Sequence, residues 1–349
     1  MKKKEILIII YRIVFMFISL IVINKVTILG DYDRYINENI TKIFSKNLLD
    51  ILFNRTLLTD IFVGGMRRIL FGSKMLTNIF FNLLSTYGII FFLRAIEWNK
   101  YILIFLLLPS FNIWSSYPSK ESIVIFSSGI VMGNLIQLFK NKKVKSKKVF
   151  FLSIYLLMLY KIQYIPSIIV FSLYLFFLIK RKKQIRVLFY MIYFILSLLL
   201  LYLLREKIDI FLKNFHLNFA TTKETFRNQN IFQEQYGFYK NMIYGMFISV
   251  WGPGIRELNM GVIKILSYLE SMVLLLMVTY KILMIKVNKE KIFILFNCSF
   301  WLFLAQYPFG VFNAGAAVRY RTNLYIIFLA FFYMLILKAP LLRKIRRKN

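Results

Sequence analysis

Asn112-Ile-Trp-Ser-Ser-Tyr-Pro-Ser-Lys-Glu121 is a polar stretch set between two strongly apolar runs. Before it, residues 101–111 are almost all Leu, Ile and Phe; after it, residues 122–139 are apolar with small residues interspersed, and a Lys-rich cluster follows. Lys-rich clusters between apolar runs mark the cytoplasmic side of a membrane protein. One span back from that cluster, Lys120 and Glu121 are expected on the opposite, external face, at the mouth of a helix hairpin. An ionisable pair in that place is a candidate functional site. Pro118-Ser119 also reads as the cap of the following helix, with Lys120 and Glu121 as solvated interface residues, and the spacing fits both readings.

Working outward, apolar stretches of helix-spanning length recur along all 349 residues, of which 59% are hydrophobic and 18% aromatic, with a mean hydropathy of +0.64. This composition predicts an all-α polytopic membrane protein, a single integral membrane domain over residues 1–349 with no room for a separate nucleotide-binding domain. A formal charge of +32 would suggest nucleic acid in a soluble protein. Here Lys and Arg cluster in short segments that alternate with apolar runs, which is the pattern of topology, so no nucleic-acid partner is expected. The single Cys298 and single His216 argue against a disulfide and against Cys- or His-based metal chemistry.

Taken in order, the chain predicts about ten transmembrane helices. Residues 6–23 lack a small-residue cleavage site after them and read as a retained first span with a cytoplasmic N-terminus. Residues 24–76 form a first large external loop with two weakly amphipathic pieces, 37–53 and 57–71, along the interface. Spans two to four cover 77–96, 101–112 and 121–139. The basic clusters at 140–148 and 180–186 must then both be cytoplasmic, and the chain between them is too short for two full spans. Residues 150–160 and 165–179 are therefore expected as a short hairpin that turns at 161–164, leaving Lys161 at partial depth, where it either binds an anion or snorkels. After span seven at 187–204 comes a second external region, 205–259, in which residues 241–251 are apolar but too short to cross and are stopped by Gly252-Pro253-Gly254. Spans eight (261–285, carrying Glu270), nine (to 306) and ten (323–337) follow, with 307–321 as the last external loop and a basic cytoplasmic tail.

This topology gathers several reactive groups on the external face. Asp31-Tyr32-Asp33 has the D-x-D form that binds a metal and a nucleotide sugar in soluble glycosyltransferases, but nucleotide sugars are cytoplasmic. An external enzyme draws on a donor carried across on a lipid, and an acid just after the first span can act as the base on a sugar hydroxyl; a solvated turn fits the same residues. Glu121 is the next candidate for the base. The cations Lys120, Lys161, Arg256, Arg319 and Arg321 come from separate parts of the chain to one face and together can cradle a lipid-linked diphosphate.

Three segments carry a resemblance: Asn112-Ile-Trp-Ser-Ser with Ser119-Lys-Glu; Trp251-Gly-Pro-Gly-Ile-Arg-Glu with Glu270; and Asn313-Ala-Gly-Ala-Ala-Val-Arg-Tyr-Arg321. Together they resemble Wzy-type repeat-unit polymerases of O-antigen and capsule synthesis and, more distantly, membrane glycosyltransferases of the C superfamily. The resemblance implies an enzyme of the bacterial cytoplasmic membrane, with both termini inside, that joins undecaprenyl-diphosphate-linked oligosaccharides on the external face. It implies a catalytic acid at Asp31 or Asp33, substrate contacts from Glu270, Arg319, Tyr320 and Arg321, and no diffusible cofactor. A chain-length regulator and a flippase are the partners expected of such a polymerase. Two other functions fit the same topology: transfer of a single sugar from a polyprenyl monophosphate, and a flippase or transporter, although no internal repeat is evident.

Overall fold

The computed structural model describes residues 2–23, 32–37, 54–140, 142–144, 146–180, 183–219, 227, 232, 234–284 and 289–337. Among these there are helices and turns but no strand, and the chain is an all-α protein with helices long and apolar enough to cross a membrane. Its internal contacts group into two units, residues 1–162 with 325–327, and residues 163–324 with 328–349.

In the first unit, α1 (Lys3–Ile18, continued by a π-helical turn Ser19–Ile23) and α2 (Tyr32–Asn37) precede α3 (Arg55–Ile69), α4 (Lys74–Ala95), α5 (Lys100–Leu106), α6 (Pro109–Ser115), α7 (Lys120–Phe139) and α8 (Lys147–Lys161). Over its first two thirds α4 buries mostly polar and small residues, Thr77, Asn78, Asn82, Ser85, Thr86 and Gly88, with Phe81 among them, and beyond Gly88 its buried residues are apolar. Such faces suit helix contacts in lipid, where backbones that come close gain packing and interhelical hydrogen bonds. On α7 the complementary face carries Gly129-Ile-Val-Met-Gly133. A Cβ on Gly129 would lie 2.3 Å from the Gly88 carbonyl oxygen, and one on Gly133 would lie 2.7 Å from the Phe91 ring, so the two helices meet backbone to backbone. These pairs, with Lys140 Nζ donating to the Ala95 carbonyl at 2.9 Å, show that α4 and α7 run in the same direction. In contrast, α1 runs opposite to α4, since Arg94 binds Glu5 through two 2.8 Å hydrogen bonds while Arg12 reaches Ser85.

Two parallel helices require the chain between them to travel back. The expected third span does so, but as two seven-residue helices, α5 and α6, broken at Leu107-Leu108. Each is only roughly 10 Å long, so neither crosses a membrane as a helix. Pro109 is the cause: it has no N–H to continue α5 and starts α6 at its first position instead. The Asn112 side-chain amide spans the break, donating to the Leu106 carbonyl at 2.9 Å and to the Leu108 carbonyl, which also accepts from the Asn112 backbone N–H, at 2.8 Å.

The expected hairpin at 150–179 is absent. Residues 147–177 form one helical run, α8 followed by a 3-10 turn at Ile162–Tyr164 and α9 (Ile165–Lys180). Nothing in Lys161-Ile-Gln-Tyr requires a reversal, and Pro166 falls at the second position of α9, where the 3-10 turn already displaces the hydrogen bond it cannot make. The basic clusters 140–148 and 180–186 consequently flank a single helix.

In the second unit, α10 (Lys183–Leu203) bends by 64° into α11 (Arg205–Phe219). After it come α12 (Gly237–Lys240), α13 (Met242–Trp251), a 3-10 turn at Ile255–Met260, α14 (Val262–Met284), α15 (Lys289–Gly310) and α16 (Ala314–Ile336). As expected, α13 is a ten-residue apolar helix stopped at Gly252, too short to cross. It seats tightly on α15: a Cβ on Gly245 would fall 1.8 Å from the Tyr307 ring, and one on Gly310 would fall 2.9 Å from the Ser249 carbonyl. Phe232, Phe238, Tyr307 and Phe312 fill the contact, with the Phe238 and Tyr307 rings stacked at 5.0 Å. Helices α15 and α16 are antiparallel, with Phe309 against Tyr320 and Phe303 against Phe328. The expected last external loop shrinks to three residues, because α15 continues through Gly310 and Asn313 caps α16 by accepting from the Ala316 N–H at 3.1 Å.

Among the described residues six helices are long and apolar enough to span, or seven if the bent α10–α11 pair is one span. The expectation of ten fails in three places: span three is broken, spans five and six are one helix, and span ten, α16, is too polar over its first ten residues, where Arg319, Arg321, Thr322 and Asn323 lie. Of the interfacial pieces, α3 realises the second, and residues 38–53 of the first lie outside the described residues.

Candidate functional site

In the first unit the polar stretch at 112–121 is recessed. Ser119 caps α7, its Oγ accepting from the Ser122 N–H at 3.2 Å, as its position before the apolar run predicts. Because Gly88 faces Gly129, Lys120 is level with a residue about five positions inside α4, roughly 7 Å from the helix start. Tyr117 and Ser116 are fully buried and Glu121 is 2% exposed, so the pair does not sit at an open mouth as the sequence suggests. Helices α2 and α3 cover it. The Tyr32 ring meets Tyr117 edge-on at 5.6 Å, and Asn78 Nδ2 donates to the Tyr32 hydroxyl at 3.1 Å. Burial pushes the Tyr32 phenol above its ordinary pKa, keeping it neutral. Lys120 Nζ donates to Thr56 Oγ1 at 2.9 Å and stands 6.0 Å above the Tyr35 ring, which also carries the Arg34 guanidinium at 4.8 Å. One turn along α3 from Thr56, buried Asp60 pairs with Arg34 at 3.5 Å. Asp33 lies exposed in the first turn of α2, while Asp31 is outside the described residues. Lys161 is buried at the end of α8, next to Tyr160, whose hydroxyl hydrogen-bonds Thr59 at 2.9 Å.

Beneath this region lies a cation that the sequence reading passed over. Arg12, in the middle of α1, is 1% exposed. Nε donates to Thr86 Oγ1 (3.1 Å), Nη1 to Asn112 Oδ1 (3.0 Å) and Ser115 Oγ (2.7 Å), and Nη2 to Ser85 Oγ (2.6 Å) and the Ser115 carbonyl (2.7 Å). Every one of these acceptors is neutral. The signal was present, since Arg12 is the one charge inside the first apolar run.

In the second unit two of the sequence candidates, Glu270 and Arg321, meet at the Gly252 stop. Arg321, fully buried in α16, donates through Nη1 to the Gly252 carbonyl (3.0 Å) and to Ser271 Oγ, through Nη2 to the Ser267 carbonyl (3.3 Å), and pairs with Glu270 Oε2 at 3.5 Å. Thus the Gly252-Pro-Gly stop, the intramembrane acid of α14 and the second arginine of the last motif meet. Residues two apart on a helix face different ways: Arg319 is only partly buried, with its guanidinium 5.7 Å from the Tyr320 ring, and Tyr320 packs on Phe309. Arg256 is exposed in the 3-10 turn and does not join Arg321.

A second ion pair braces the same loop. Arg227 grips Glu257 with Nε and Nη2, the latter at 2.8 Å; its Nη1 donates to the Gly310 carbonyl at 2.8 Å; and Glu257 Oε2 accepts from the Gly254 N–H at 2.7 Å. The bidentate fork holds the 3-10 turn, while Nη1, which also donates to the Ile248 carbonyl at 3.2 Å, ties the end of α13 to the end of α15. No group of three or more His, Cys, Asp or Glu side chains gathers among the described residues. Compared with protein-family profiles, with curated proteins and with solved structures, the chain matches none.

Proposed function

We propose that this membrane protein is a glycosyltransferase that joins undecaprenyl-diphosphate-linked oligosaccharide repeat units into a polysaccharide on the external face of the cytoplasmic membrane. The observation that carries the reading is the meeting of Gly252, Glu270 and Arg321: two of the three segments that carry the resemblance, far apart in the chain, pack against each other through one guanidinium. Arg321 offers the fork that grips phosphate oxygens, and an incoming diphosphate takes the place of the Glu270 carboxylate on it. In the reaction the acceptor hydroxyl attacks the anomeric carbon of the donor chain. Its proton passes to a carboxylate base, for which Asp31 or Asp33 is the first candidate and Glu121 the alternative, while the bond to the diphosphate breaks and the lipid diphosphate leaves with the bonding electron pair. No diffusible cofactor enters.

The test is replacement in a strain whose polymer depends on this chain. Arg321→Lys keeps the charge but loses the fork, so polymer should disappear and single lipid-linked units accumulate at normal protein level. Arg319→Lys, on the outward face, should leave chain lengths unchanged. Full-length polymer from Arg321→Lys overturns the reading, as does a polymer phenotype for Arg319→Lys alone.

A further inference from the structure

We infer that Arg12 is a positioning residue: from inside the first helix its guanidinium sets the depth of the turn at residues 116–119, and with it the places of Lys120 and Glu121. The inference is independent of the polymerase reading.

The geometry starts from a topological need. Since α4 and α7 are parallel, the returning segment α5–α6 must end part-way along α4 and hand over to α7. A seven-residue helix is too short to hold itself, and its last carbonyls have no partner within it. Arg12 supplies what α6 lacks. Its Nη2 takes the Ser115 carbonyl, the last of the helix, and its Nη1 takes the side chains of Ser115 and Asn112 one turn earlier. The other side of the fork is tied to Ser85 and Thr86 on α4. All five guanidinium N–H donors are used, so the group has no donor left for a ligand and acts as a clamp between two helices. Asn112 is fixed from both sides, because its amide nitrogen simultaneously holds the carbonyls of Leu106 and Leu108 across the break.

The clamp ends where the turn begins. Residue 116 follows the clamped carbonyl directly, Tyr117 packs on Tyr32, Ser119 caps α7, and Lys120 reaches Thr56. A shift of α6 along α1 therefore moves the first turn of α7, including Glu121. Lysine cannot replace the fork: it has three donors radiating from one point, against five in a plane.

Thiol labelling reads this directly, because the native Cys298 is buried and serves as an internal control. In a Ser116→Cys chain the thiol should be nearly silent to a small maleimide. Adding Arg12→Gln, or Asn112→Leu from the acceptor side, should raise its labelling rate about tenfold or more, since buried groups left unpaired favour local opening. Arg12→Lys should give a smaller rise. A separate Ser127→Cys reporter, buried lower on α7, and Cys298 itself should stay silent in the same backgrounds. The inference fails if Ser116→Cys labelling does not change, or if Ser127→Cys and Cys298 open equally, which would mean general loosening. Should Arg12→Gln not accumulate in membranes, Arg12→Lys and Asn112→Leu decide by the same criteria.

Discussion

Arg12 and Arg321 are both arginines buried to 1% or less, each in one unit of the molecule, and they are held in different ways. Arg12 has five neutral acceptors, four of them on or beside short Ser, Thr and Asn side chains. Arg321 has neutral acceptors too, two backbone carbonyls and a serine, but also a carboxylate at 3.5 Å on a side chain that is 10% exposed. A cation solvated only by dipoles is a complete, self-contained clamp. One that shares its charge with a partly exposed carboxylate can exchange that partner for another anion, which is what a binding residue needs. The difference separates a positioning residue from a candidate ligand-binding residue although both look alike in burial.

The largest expected effect tests the carboxylate. Glu270→Leu leaves the Arg321 charge without its counter-ion and should cost about 3 kcal/mol in thermal unfolding in detergent, whereas the double variant Glu270→Leu/Arg321→Met should recover most of the loss, because an apolar pair of similar size replaces a buried ion pair at little cost. If Glu270→Leu costs under about 1 kcal/mol, neutral acceptors suffice for Arg321 as for Arg12 and the distinction collapses.

Removing Arg12 outright should cost less than halving the other pair. In Arg12→Met the charge leaves with its donors, and the hydroxyls of Ser85 and Thr86 keep their own acceptor at Asn82, as Ser115 keeps Phe111. The Ser115 carbonyl also loses Arg12 but stays within 2.9 Å of the Ser85 hydroxyl, so Asn112 Oδ1 is the one acceptor left without a donor, which predicts roughly 1–3 kcal/mol for one buried group without its hydrogen bond. A loss well above that range would show that the charge itself, rather than its geometry, stabilises the first unit.

The smallest effect calibrates both against a pair whose carboxylate lies in solvent. Glu97 accepts from Lys140 at 2.8 Å with its side chain 59% exposed, and that hydrogen bond holds the carboxyl below the usual carboxylate range. A depressed carboxyl stabilises the fold above its unfolded pKa, near 4.3, and the contribution disappears as pH falls through the lower folded value. Glu97→Gln should therefore cost less than about 1 kcal/mol at pH 7, with wild type and variant converging as the pH is taken below about 4. A gap that persists in acid would mean the pair acts through something other than charge.

Local chemistry made part of the site legible. The Ser119 cap and the stop at Gly252 follow from residue types next to apolar runs, and the outward turn of Arg319 relative to Arg321 follows from helical spacing. Asp60, Arg34 and Arg227 were not singled out, because each acquires its partner from a distant helix or loop: Asp60 from α2, Arg227 from the turn after α13. The depth of Lys120 was also illegible, since it depends on how far α6 returns along α4, and that distance is set by the clamp of Arg12 rather than by anything in the turn itself.

By itself the sequence determined that this is a helical membrane protein, where its long apolar helices lie, and that residues 241–251 stop short of crossing, because length, apolarity and capping act within a dozen residues. Only the tertiary structure decided which apolar runs reverse and which continue. Charge and length together point to a hairpin at 150–179, yet a run turns back only where the backbone breaks, and here a 3-10 turn carries it on as one helical run. The parallel contact of Gly88 with Gly129 forced the opposite result at 100–115, a broken return that no local property of those residues demands beyond Pro109. Helical propensity is a property of the segment; direction is a property of what the segment packs against.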